Sequence, residues 1–156
     1  MAEPLVEFMV PGVPVPQGSK SITKTGVMFD QNAKVLRPWR KAVKEAAQAV
    51  WRDQGHPPVC VPVQATIAFV FPAVPSNPDR HWVAGRPDGD KLCRAIFDAM
   101  TDAELVADDA LIVRHLASKR YADHGEPAGV HVAIESLADH ERLASARRRN
   151  ERKSRR

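Results

Sequence analysis

A chain of 156 residues with 44% hydrophobic content can bury one ordinary core, so one compact domain is the expectation. No run approaches the roughly 18 consecutive apolar residues of a membrane span, and the first residues carry acids and prolines instead of a basic-then-apolar signal; the expectation is a cytoplasmic protein without a membrane partner. The net charge of +4 is uneven, because residues 141–156 hold eight Lys or Arg and two Glu, a net of +6 that leaves the remainder at −2. This predicts a folded domain over residues 1–138 and a basic tail over 139–156, flexible or helical, that either aids solubility or meets a polyanion by counterion release. Cys60 and Cys93 lack a C-x-x-C partner, so neither a zinc framework nor a disulfide framework is indicated.

Along the chain, Glu3 to Val10 alternates as a first strand and runs into P-G-V-P-V-P-Q-G-S-K, a rigid, turn-rich loop followed by Lys24. Leu36, Trp39, Val43, Ala46, Ala47 and Val50 then recur at the three-and-four spacing of an amphipathic helix. Pro38 fits a first turn, which places the start near Arg37, and Gly55 and Pro57 end the helix. After Pro62, the β-rich run to Phe71 reads as a central strand, and residues 72–87 as a proline-rich loop. From Asp90 to Asp102 a second helix presents Asp90, Lys91, Arg94, Asp98 and Thr101 on one side, with Leu92, Ile96, Ala99 and Met100 opposite. Ala110 to Tyr121 and Gly129 to Glu135 read as two strands joined by D-H-G-E-P. This order predicts an α+β fold: a small mixed sheet with two main helices packed on it, plus the basic tail.

Two acidic pairs flank the second helix, Asp88 and Asp90 before it and Asp108 and Asp109 after it. Carboxylates at about 4 Å and an effective dielectric near 20 repel by roughly 4 kcal/mol, a penalty that a hard cation with oxygen ligands removes. Helix capping is the rival explanation, at about 1 kcal/mol for each cap. Two acids around Gly89, which lets the backbone bend, and two more at the mouth of a strand favour the metal. An EF-hand fails on spacing, since Leu92, Cys93 and Ala99 fall at ligand or turn positions. The six His are scattered, with no pair at helical spacing, and lone strand histidines such as His115 and His131 read as structural. All-oxygen ligation points to Mg²⁺, with Mn²⁺ as a substitute. Lys20, Lys91 and Arg94 are the candidate phosphate contacts, and Arg114, Lys119 and Arg120 add positive charge nearby. Arg94 is also spaced for surface pairs with Asp90 and Asp98.

The segment from Arg86 to Val113, R-P-D-G-D-K-L-C-R-A-I-F-D-A-M-T-D-A-E-L-V-A-D-D-A-L-I-V, resembles the RusA family of Holliday-junction resolvases, with P-V-P-Q-G-S-K and P-W-R-K-A-V similar to phage-type members. The resemblance covers most of residues 5–135 and not the tail, which makes residues 1–138 a RusA-like nuclease domain by expectation. It implies catalytic, metal-holding roles for Asp88, Asp90 and Asp109, with Asp108 assisting or orienting. It also implies a homodimer acting on branched, four-way DNA. Where the family often has Asn and, three residues on, a functional Lys, this chain has Lys91 and Arg94. The expected activity is Mg²⁺-dependent endodeoxyribonuclease resolution of four-way junctions, in a bacterial host cytoplasm if phage-encoded. The alternatives are a non-catalytic junction-binding protein and a Mg²⁺ nuclease preferring flaps.

Overall fold

The computed structural model describes residues 3–18, 20–30 and 32–155, without the side chains of Lys20, Phe29 and Asp30. Its regular elements are β1 (Val6–Pro11), β2 (Lys20–Ile22), β3 (Met28–Asp30), α1 (Ala33–Val50), β4 (Val63–Phe71), α2 (Gly89–Asp102), β5 (Ile112–Tyr121), β6 (Gly129–Ser136) and α3 (Ala138–Ser154). Four strands form a mixed sheet in the order β1-β6-β4-β5, and β2 and β3 pair separately. Phe8 lies opposite Val132, and Val132 opposite Ile67, in antiparallel pairs. Ile67 lies opposite Ala117 in the parallel pair β4–β5.

The register puts Val6, Phe8, Val10, Ala65, Ile67, Phe69, Val130, Val132 and Ile134 on one buried face. Alternation does this automatically, because successive strand side chains point to opposite faces. Leu36, Trp39, Val43 and Ala47 of α1, and Leu92, Ala95, Ile96, Ala99 and Met100 of α2, cover that face. Each fully buried Leu, Ile or Phe contributes about 1.5–3 kcal/mol of transfer free energy. Arg40 ties the two helices together across Asp102 at 2.8 Å and Asp98 at 4.0 Å. On the opposite face of the sheet, Glu7, Met9, His131 and Leu116 are exposed. Gly129 allows β1 and β6 to approach: a Cβ there would stand 2.4 Å from the Val10 carbonyl oxygen.

The architecture is α+β with a small mixed sheet, as the element order predicts. Three details differ. First, α1 begins at Ala33, not near Arg37, and Pro38 lies inside it. The Asn32 carbonyl accepts from both Val35 and Leu36, at 3.2 and 2.9 Å, so the first turn closes ahead of the proline and buries Leu36. Pro38 then costs one ladder bond. Second, the turn after β5 does lead to β6, but the two do not pair, because β4 lies between them. An interior place suits β4, whose last three residues are buried in succession. Third, the segment beyond the proline loop forms the short β2–β3 hairpin. The helix also ends ahead of Gly55: α1 stops at Val50, and a separate 3₁₀ turn over Arg52–Gln54 closes on Gly55, whose φ of 85° is left-handed. The tail is helical in α3, and none of its residues is buried. Among the described residues, no helix is long and apolar enough to cross a membrane.

Candidate active site

Parallel strands need a crossover, and α2 supplies it between β4 and β5. Before α2, the proline-rich segment returns along the edge of β5. Tyr121 donates its N–H to the His81 carbonyl at 2.8 Å, and Val83 donates to the Lys119 carbonyl at 3.2 Å. The Lys119 ammonium then reaches the carbonyls of Gly85 and Pro87, at 2.8 Å each. A β5 lysine therefore fastens the backbone immediately ahead of Asp88.

Asp88 stands at the N-cap of α2 in extended conformation, yet its side chain accepts no capping hydrogen bond. Its Oδ2 lies 3.7 Å from the Lys91 ammonium. The capping explanation thus does not account for Asp88. Gly89 opens the helix without a positive φ, and a Cβ there would meet nothing within 4 Å, so the expected glycine bend plays no part. Asp90 is exposed in the first turn. Below it Cys93 is buried, and its thiol is pushed up to about 11, by desolvation first and then by the negative charge of Asp90. Among the described residues Asp90, Arg94 and Asp109 form no hydrogen bond or ion pair through their side chains. The expected Arg94 pairs are absent there, and Asp98 turns to Arg40 instead.

The second acidic pair divides its work. Asp108 Oδ1 accepts from the Ala110 N–H at 2.8 Å, capping the 3₁₀ turn Asp109–Leu111 that leads into β5. Asp109 keeps its carboxylate for solvent. A groove of about 630 Å³ beside α2 is lined by Asp90, Lys91, Arg94, Phe97, Asp109 and His115, with Gln17 and Gly18 at its border. An adjoining cleft of about 610 Å³ holds Asp88, Arg86 and Lys91, and shares Gln17 and Gly18. Asp109 also faces a third depression with Asp98 and Asp102. Asp90 and Asp109 therefore line one groove, and Asp88 stands in the cleft next to it, with Lys91 common to both.

The predicted bases also separate. Lys91 sits at the junction of both clefts, and its carbonyl accepts from Gln17 N–H at 3.0 Å. Lys20 opens β2, and its side chain lies outside the described residues. Arg114 donates through Nε to Gln64 Oε1. Arg120 makes a bidentate pair with Glu126, 2.6 Å on each arm, and so belongs to the β5–β6 turn, not to a phosphate surface. That partner holds the Glu126 carboxyl down at about 2.

Sequence reasoning undervalues three residues here. His115 lines the groove with its ring edge-on to Phe97, centroids 5.3 Å apart. Gln17 lines both clefts with its Oε1 buried and unpartnered among the described residues. Lys119 positions a loop. Only Gln17 has a signal, its place in P-Q-G-S-K; the others depend on which strand faces which helix.

The family model described as endodeoxyribonuclease RusA matches residues 11–135. The chain belongs to this family. No curated protein matches it. The RusA match spans both acidic pairs and the helix between them and stops before α3. RusA membership makes the chain an endodeoxyribonuclease, and nucleases of the RusA family generally depend on a divalent metal. The donor set fits such an ion in kind: exposed carboxylates, one of them uncapped at a helix start. Among the described residues no three His, Cys, Asp or Glu side chains are gathered closely enough to share a metal as they stand.

Proposed function

We propose that this RusA-family enzyme resolves four-way DNA junctions by paired, Mg²⁺-dependent phosphodiester hydrolysis, as a homodimer. The observation that carries the reading is the groove itself, where Asp90 and Asp109, without side-chain partners among the described residues, stand beside Arg94 and Lys91. Acids without local partners suit a cation, and adjacent bases suit the phosphates that accompany it. Asp88, Asp90 and Asp109 would hold Mg²⁺, or Mn²⁺ in its place, and Asp108 orients Asp109 through the turn it caps. When bound, the ion lowers the pKa of a coordinated water and offsets charge on the scissile phosphate.

The chain's own side chains do the rest. Arg94 offers a planar fork for two phosphate oxygens, while Lys91, shared between the clefts, supplies a point charge. Lys20 is a third phosphate contact in this proposal. Lys119 keeps the Asp88 backbone fixed while DNA enters. Hydrolysis leaves 5′-phosphate and 3′-hydroxyl ends.

A homodimer also addresses the spacing of the acids. Two-fold pairing that lays Asp88 and Asp90 of one protomer against the partner's Asp109 would gather three carboxylates, and a two-fold enzyme matches a two-fold junction. The basic segment 139–156 adds affinity without sequence preference. The setting we propose is a bacterial cytoplasm, in recombination, repair or phage DNA processing.

The deciding experiment compares four-way, flap and linear DNA with Mg²⁺ and with EDTA. Symmetric cleavage of the four-way substrate in Mg²⁺ alone is expected. Faster flap cleavage would change the substrate, and junction binding without cleavage would remove the catalytic reading.

A further inference from the structure

The three tryptophans have different surroundings. Trp39 is buried on the inner face of α1, and Trp51 donates its indole N–H to the Pro57 carbonyl at 2.9 Å while stacking on His56. Trp82 is 60% exposed. It is not on a slack loop: it bridges Arg120 at the edge of β5, and the next residue, Val83, is buried. Strand-like alternation therefore turns Val83 inward and Trp82 outward. The His81 ring meets the indole edge-on, centroids 4.3 Å apart, which limits its rotation.

We infer that Trp82 is a stacking platform for an unpaired base of the DNA substrate. An indole held in the open loses the transfer free energy of burial, and its environment selects what could cover it. Arg80 lies in the same segment, its guanidinium 5.4 Å from the Tyr121 ring centroid. Arg86, four residues after Trp82, lines the cleft that holds Asp88 and Lys91. An aromatic face with cations on both sides in sequence suits a single-stranded backbone with splayed bases, since every base has a face to stack and every nucleotide a charge to neutralise. Between Trp82 and Asp88 the chain is pinned by Lys119 at the carbonyls of residues 85 and 87. A base on Trp82 would thus be registered at a fixed offset from the acids. The inference rests on the proposed function only for DNA as the ligand, not for cleavage.

The test uses the full chain in EDTA with an oligo-dT of about 15 nucleotides, following tryptophan fluorescence. Binding should quench wild-type emission. In Trp82→Leu that quench should disappear and affinity should fall about tenfold, the scale of one missing base stack, while Trp82→Tyr stays within about threefold. Unchanged affinity in Trp82→Leu, or a quench that persists there, overturns the inference. Absence of wild-type quenching overturns it too. Junction cleavage is scored separately in Mg²⁺: no wild-type cleavage with the quench intact sinks the proposed function alone, and normal cleavage without the quench sinks only the role of Trp82.

Discussion

The β5–β6 turn and the groove beside α2 both concentrate charge and treat it in opposite ways. In the turn, Arg120 grips Glu126 with both arms, and Glu126 also accepts the Asp123 N–H at 2.9 Å. In the groove, Asp90, Arg94 and Asp109 stand without such partners among the described residues. Charges that satisfy one another hold a fold together and have little left for a ligand. Charges left to water in a concave surface are available to an ion or a phosphate. The same contrast recurs inside one dipeptide, where Asp108 is spent on a turn and its neighbour Asp109 is not.

Neutralising a groove acid should have the largest effect. Asp90→Asn or Asp109→Asn is expected to lower junction cleavage at least about 100-fold, the scale of removing one charge that stabilises a transition state, with binding within about threefold. Parallel cleavage and gel-shift titrations check this. Undiminished cleavage by Glu126→Gln and loss by the groove variants would sharpen the contrast; the reverse would break it. The next test concerns whether the acids work across a dimer. Neither variant alone should cut, but Asp90→Asn mixed with Asp109→Asn should recover nicking through the one intact composite site in each mixed dimer. No recovery after subunit exchange would mean each chain supplies its own three acids.

Deleting residues 139–156 should act more mildly, on affinity and not on the fold. Junction affinity at low salt is expected to fall roughly tenfold, and the log-log salt slope to become shallower by about 0.9 for each phosphate that is no longer neutralised. An unchanged slope would show that α3 touches no phosphate. The smallest effect belongs to the paired region. Glu126→Gln should destabilise the fold by about 1 kcal/mol, since the pair is only partly shielded from solvent. Because Glu126 is held at about 2 against an ordinary 4.5, its contribution is complete above the unfolded value and fades as pH falls from about 4.5 through 2. The gap between the urea midpoints of wild type and variant should therefore be narrower at pH 3 than at pH 7, and a constant gap would contradict the assignment.

Most of the secondary structure is legible because amphipathic periodicity reports burial directly, as with Leu36, Trp39 and Val43 on α1 or Val63 to Phe71 in β4. Partnering is less legible. Nothing local says that β4 separates β5 from β6, and three-residue strands such as β2 and β3 are too short to carry a period. At the site, the positions of Asp88, Asp90, Asp108 and Asp109 are readable, but their division of labour depends on whether a backbone N–H happens to lie within reach. Arg120 reads as one more cation near acids until Glu126 is seen beside it. Lys119 and Trp82 matter through tertiary contacts between β5 and the segment before α2 that have no sequence signature.

The depth of Cys93 has a practical consequence. With its thiol buried and raised to about 11, it stays protonated and shielded at neutral pH, whereas Cys60 is exposed. A maleimide dye added at neutral pH should therefore enter at position 60, one residue after the bridge that Val59 makes with Val106, and leave the groove chemically untouched. The protein offers a single natural handle for fluorescence or spin labelling, suited to testing whether two protomers come together on branched DNA.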